Sequence, residues 1–169
     1  MIRPILKYGD DVLHDSAKNV EAITPAIHQL IDDMVETMYA APGIGLAAPQ
    51  IGVPLRIFVV DLSMGRDPAG LITMVNPTFV ERSGMQLEEE GCLSVPGFNA
   101  TVARPLHAVV TGLDRSGTER QIEGHDLLAR AFQHEMDHLD GKVFLDRLQG
   151  IKKQMILRKI KKQIRARRW

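Results

Sequence analysis

The chain has 169 residues, enough for one domain with a substantial core, and its 44% hydrophobic and 25% charged residues are those of an ordinary globular protein. No apolar run approaches the ~20 residues of a membrane helix, the N-terminus MIRPILKYGDD lacks the apolar stretch of a secretory leader, and the single cysteine, Cys92, excludes an internal disulfide, so a cytoplasmic setting is expected. The net charge of zero hides a split: residues 147–169 hold ten Lys or Arg and no acid, leaving 11 of the 21 basic residues and all 21 acidic ones for the rest, which points to an acidic partner for the tail, such as nucleic acid.

The first predicted element is a helix over residues 24–41. Thr24 can cap it, Pro25 suits its first position, and Ile27, Leu30, Ile31, Met34, Val35 and Met38 recur at helical spacing. It stops at Pro42-Gly43. The following APGIGLAAPQIGVP reads as an ordered loop in which backbones approach closely. RIFVVDL (56–62) is β-branched and apolar, hence a strand. Residues 64–70 form a loop, and 73–83 a strand with a break near Asn76-Pro77. EEEGCLSVPG, which follows an acidic run and carries Cys92, reads as turn-rich. Strands are predicted over 100–104 and 106–113, then a turn at 114–117 and a returning strand over 118–124.

A second helix follows, with Leu127, Leu128, Ala131, Phe132, Met136 and Leu139 as its buried stripe, Asp126 able to cap it and Gly141 placed to end it. The last helix covers about 149–166, with Ile151, Met155, Ile160 and Ile164 on its apolar side. This order predicts an α+β fold: mainly antiparallel sheets wrapped around one central helix, with a C-terminal helix, in a single domain spanning 1–169.

The central helix carries QHEMDH (133–138). Residues i and i+4 share a helix face, so His134 and His138 can direct both imidazoles at one point, with Glu135 beside them. The mechanical reading of H-E-x-x-H is two metal ligands plus a general base. A catalytic divalent metal needs about three protein ligands and one open position. Cys92, Glu88, Glu89, Glu90, His107, His125, Asp137 and Asp140 are candidates for the third, and spacing alone does not choose among them.

Three segments occur in order: GIGLAAPQ (43–50), EGCLS (90–94) and QHEMDH (133–138). Together they resemble the three signature motifs of the peptide deformylases. The resemblance extends to the opening IRPILKYGDDVL, the NP at 76–77, the VARP at 102–105 and DHLDGKVFLDRL at 137–148, nearly the whole chain. It implies an enzyme that removes the formyl group from the N-formylmethionine of nascent polypeptides.

By the same resemblance, Cys92, His134 and His138 bind the metal and Glu135 is the general base and acid. Gln50 and the Leu93 backbone N–H hold the developing oxyanion. Gly45 and Gly91 offer backbone contacts to an extended peptide. The residue types suit the chemistry. A divalent metal lowers the pKa of water towards neutrality, a carboxylate can carry the proton to the leaving amine, and aimed N–H donors stabilise an oxyanion. A thiolate with two imidazoles is compatible with Fe(II), Zn, Co or Ni, and the resemblance favours Fe(II) in the cell.

Ile44, Leu127 and Ala131 are expected to line the methionine pocket, and Arg104 to pair with Glu90 and brace the metal loop. Arg130 stands where some relatives carry an aliphatic residue, and its methylene stem can line the pocket. Asn99 stands where some relatives place an arginine. In bacterial relatives a basic C-terminal helix docks on the ribosome, and residues 149–169 have the charge for such phosphate contacts. A monomer is expected. Two other classes share single features: an H-E-x-x-H zinc peptidase, and a metal-stapled RNA-binding protein without catalysis.

Overall fold

In the computed structural model, which describes residues 1–169, helix α1 runs Pro25–Ala40 from the expected cap, Thr24, whose hydroxyl accepts from the Ile27 N–H. Its buried side, Leu30, Ile31, Met34 and Met38, packs with Leu46, Ile51, Ile57 and Val59. The glycine-rich segment after it is more ordered than a loop. It forms a short strand β1 (Gly45–Ala47) and a 3-10 turn (Ala48–Ile51).

Strands β2 (Ile57–Val60), β3 (Ile72–Ser83), β6 (His107–Leu113) and β7 (Glu119–His125) join β1 in a five-stranded sheet of order β1-β2-β3-β6-β7, every pair antiparallel. The break expected at Asn76-Pro77 is a register shift within β3 between Val75 and Thr78. Asn76 sits there at a φ of 52°. Its amide bonds both the N–H and the carbonyl of Val20 (2.8 and 2.9 Å), tying the N-terminal segment to the sheet.

The segment expected to be turn-rich is mostly strand, with a tight turn only at Leu93-Ser94. β4 (Gln86–Cys92) pairs with β5 (Val95–Arg104) as a separate two-stranded ribbon. Its alternation is hard to read in sequence because Glu88 and Glu89 face solvent while Glu90 is buried by ion pairing rather than by apolar character.

Helix α2 (Asp126–Leu139) lies against β1, β2, β6 and β7. Ala131, Phe132, Met136 and Leu139 pack on Phe58, Val60, Met74 and Val110. Asp126 does not cap it. His125 takes the N-cap position without a side-chain bond. Strand β7 runs straight into the helix, and the Asp126 backbone is held by Leu106 and Gln86 instead (2.9 Å each). The fold is the expected one: antiparallel sheets around a central helix.

Helix α3 (Gly150–Arg165) docks through only one of the four residues expected on its apolar side, Ile160, joined by Ile156. Ile156 and Ile160 are buried against Val95, Val102, Phe144 and Leu145, with Trp169 packed alongside. Ile151, Met155 and Ile164 are exposed. Isoleucines at several angles around the helix left the choice of face to the shape of the β4–β5 ribbon.

Candidate metal centre and active site

The site begins with the burial of α2, which holds His134 and His138 one turn apart with ring centroids 5.0 Å apart. The β4–β5 ribbon supplies the third group. A bulge between Gly91 and Cys92 turns the cysteine towards the helix, leaving Cys92 Sγ 3.3 Å from His138 Nε2. One donor atom from each of Cys92, His134 and His138 lies within 4.8 Å of the others.

The rival third ligands are engaged elsewhere. Asp137 is paired with Arg104 and Arg147, and Asp140 with Arg56. His107 and His125 stand beside Glu123 on β6 and β7.

Behind the site runs a buried ionic network. Glu90 accepts a two-pronged pair from Arg104 (2.7 and 2.8 Å), one bond from Arg130 (2.6 Å), and a short contact with His134 Nδ1. Arg104 also reaches Asp137 (2.9 Å), which Arg147 grips with both prongs (2.6 and 3.1 Å). Buried charges persist only when paired this fully. Burial opposes ionisation of Glu90, but Arg104 and His134 outweigh it and hold the carboxyl well below the usual range. The Glu90 contact engages His134 Nδ1 and leaves Nε2 for the site, as metal-binding histidines require.

The expected Glu90–Arg104 pair is present. Sequence reasoning missed Arg130, Asp137 and Arg147 as members of this network. Position offered one signal: Arg130 and Asp137 lie within one turn of His134 on a buried helix, where a charge must find a partner.

These groups border a cavity of about 710 Å³ lined by Ile44, Gly45, Gln50, Gly91, Cys92, Leu93, Leu127, Ala131, His134 and Glu135, together with Ile5, Glu90, Arg130, Pro96 and Gly97. Every residue expected from the signature motifs therefore reaches this cavity except His138, which closes it from behind at 0% exposure, and Arg104. Leu127 stands half exposed at the mouth. Arg130 lines the wall while its guanidinium is spent on Glu90, Gln86 and Val102. Asn99 is paired across the ribbon with Gly91, and a Cβ at position 91 would clash with its side chain.

Gln50 is fixed at both ends of its amide. Its Oε1 accepts from the Ala47 N–H (2.9 Å), and its Nε2 donates to Ser94 Oγ (3.1 Å) and towards Cys92 Sγ (3.7 Å). The Leu93 N–H, in the turn after the cysteine, meets no acceptor within the chain. The N-terminal segment ties the two loops together: Leu6 N–H donates to the Gln50 carbonyl (2.7 Å) and Tyr8 N–H to that of Ser94 (2.8 Å).

Glu135 is buried at 3% exposure, and burial pushes its carboxyl up to about 7. Burial and the neighbouring His134 hold His138 well below the usual imidazole range, in its neutral, electron-donating form. His134 is pushed the other way. Burial resists its charged form, but the Cys92 sulfur and the Glu90 carboxylate outweigh burial and hold the ring's pKa well above the usual imidazole range.

The buried side-chain polar atoms without a partner in the chain are Glu135 Oε2 and His138 Nδ1, both at this site. One sulfur, two imidazole nitrogens and an unspent buried carboxylate oxygen are the donor set of a borderline-soft divalent cation beside a base.

The sequence profile of the family described as polypeptide deformylase matches residues 2–154. A peptide deformylase of Acidobacterium capsulatum is 46% identical over 169 residues, covering 100% of this chain and 99% of that one. The crystal structure of a peptide deformylase from Legionella pneumophila superposes with a TM-score of 0.92 at 46% identity, covering 99% of this chain and 98% of that chain. That of Synechococcus elongatus, solved in complex with actinonin, gives 0.88 at 38% identity over 94% of this chain and 89% of that chain. Similarity along the whole length, on the same fold, makes this chain a member of the peptide deformylase family of enzymes.

Proposed function

We propose that the enzyme hydrolyses the formyl group from N-formylmethionine at the start of nascent polypeptides, with Glu135 as its general base and acid. The observation that carries this reading is the buried, partnerless Oε2 of Glu135 in the same cavity as Cys92, His134 and Gln50. Cys92, His134 and His138 would hold a divalent cation, Fe(II) in the cell and Zn, Ni or Co as substitutes. When bound it supplies Lewis acidity that brings the pKa of water near neutral.

The chain's own groups do the rest. Glu135 takes a proton from the attacking water and delivers it to the amine nitrogen as the C–N bond breaks, so formate and a free amino terminus leave. A carboxyl raised towards neutrality by burial can both accept and return that proton. Gln50 Nε2, held in place by Ser94, and the unengaged Leu93 N–H are aimed where the carbonyl oxygen gains charge. Each such donor is typically worth about 2.7–4 kcal/mol. Ile44, Ala131 and Leu127 offer the methionine side chain an apolar wall, and Gly45 and Gly91 leave the backbone open to an extended peptide.

The reading extends to the tail. On α3 and beyond, Lys152, Arg158, Lys159, Lys161, Lys162, Arg165, Arg167 and Arg168 are exposed while Ile156 and Ile160 hold the helix down. A docked helix with its cations free suits phosphate contacts, here with ribosomal RNA in the cytoplasm, by a monomeric enzyme.

The test is formate release from an N-formylmethionyl tripeptide by protein purified without oxygen, with Glu135→Gln alongside. Rapid release by wild type, lost in the variant while metal content is retained, is the expected result. Folded, metal-loaded wild type that releases no formate overturns the proposal. Retained activity in Glu135→Gln overturns the role of Glu135.

A further inference from the structure

On the face of the sheet turned away from α2, three potential ligands meet. Gly124 marks the inner face, since a Cβ there would lie 2.9 Å from Leu128 Cγ of α2. The odd-numbered residues of β7 therefore point outward, and Glu123 and His125 are among them. His107 and His125 are directly opposed in the β6–β7 register, with ring centroids 4.6 Å apart. Glu123 reaches both: its Oε1 lies 2.7 Å from His107 Nε2 and 3.2 Å from His125 Nε2. One donor atom from each residue falls within 4.8 Å of the others.

We propose that His107, Glu123 and His125 form a second, peripheral site for a divalent transition-metal ion of the zinc type. Two imidazoles and one carboxylate are a ligand set that zinc takes with a water in the fourth position. The site is also oriented from behind. Ser83 Oγ lies 3.3 Å from His107 Nδ1. With Nε2–H donating to Glu123 the hydroxyl donates to Nδ1, and when an ion takes Nε2 the same hydroxyl can turn to accept from Nδ1–H, so the ring keeps this partner in both states.

The strand ladder holds the two histidines in register on neighbouring strands, so that much of the ordering precedes binding. The rings lie 30° from parallel, and a modest turn of each about χ2 converges the two lone pairs, a torsion that is soft for histidine. Access is open, because the Glu123 and His125 side chains are 60% and 61% exposed. None of the three lines the catalytic cavity. The ion would clip β7, the edge strand of the sheet, to β6, and a metal count on the enzyme would read two ions where the reaction uses one.

The test uses the enzyme already loaded at its first site. Zn²⁺ is titrated calorimetrically at about pH 7.5, where an ordinary imidazole is neutral, and bound metal is counted after gel filtration. The expected result is a second equivalent that His107→Ala/His125→Ala abolishes, with the first equivalent and formate release unchanged. Glu123→Gln, a change at an exposed side chain, weakens the second equivalent by more than about tenfold, the least that even an outer partner of a metal contributes. No second equivalent in wild type, or one that both variants keep at full affinity, overturns the proposal. Should the double variant fail to fold, Glu123→Gln alone decides.

Discussion

Gly45→Ala separates the geometry of the site from its stability. A Cβ at position 45 would lie 2.6 Å from Glu135 Oε1, 3.1 Å from its Cδ and 3.2 Å from its Cγ. The first distance is short of ordinary contact by roughly 0.8 Å. β1 is paired with β2 and backed by the core, so the strand cannot retreat. The Glu135 side chain is the part that gives, and its carboxylate moves by most of that shortfall. Rotating a terminal carboxylate is cheap, so the cost in folding stability stays near the low end of the about 1–3 kcal/mol of an overpacked site.

The cost in rate is larger. A misplacement of about 1 Å at a reacting group is worth about 10²-fold, or about 2.7 kcal/mol of activation free energy. Formate release should fall by about two orders of magnitude, with bound metal unchanged and only a small loss in urea unfolding free energy. A variant that keeps its rate within about threefold, well under the factor expected for such a shift, would refute the reasoning that Glu135 works from this position. A variant that unfolds or loses its metal would refute the claim that the strain is relieved at the carboxylate.

Three further outcomes are expected. Arg104→Met leaves two buried carboxylates short of a partner and should cost about 3–5 kcal/mol, whereas Arg147→Ala, whose side chain is 41% exposed, should cost about 1 kcal/mol or less; chemical denaturation that ranks them equally would contradict the network as described. Ile160→Ala should cost about 2–5 kcal/mol and Ile151→Ala, on the exposed side of α3, no more than about 0.5, so the reverse order would place the docked face of the helix wrongly. Asp61 is buried, and although burial opposes its ionisation, bonds from Ser63, Tyr39 and Gly65 hold its carboxyl below the ordinary range. A depressed folded value means stability present above the unfolded pKa of about 3.9 and lost as pH falls towards the folded one, so thermal unfolding of Asp61→Asn should show a flatter acid limb than wild type, and an equal slope would remove Asp61 from the account.

The parts of the site legible in the sequence are those set by local geometry. His134, Glu135 and His138 share one helix, and a period of 3.6 residues aims them whatever surrounds them. α1 was legible for the same reason, through Thr24, Pro25 and its apolar stripe. Cys92 was different. Spacing left it one candidate among eight, and the resemblance of EGCLS to a known motif, not any periodicity, singled it out. What brings it to the helix is a bulge 42 residues upstream of His134, in a strand whose acidic residues do not alternate as a half-buried strand should.

Only the tertiary structure decided the rest. It paired Glu90 with Arg130 as well as Arg104, engaged Asp137 with two arginines, chose Ile156 over Ile151 as the seat of α3, and set His107 opposite His125 across two strands. Each of these is a contact between segments whose register follows from how sheets and helices pack. A charged side chain looks the same in sequence whether it faces water or a buried partner, and only the packed chain fixes which of the two it meets.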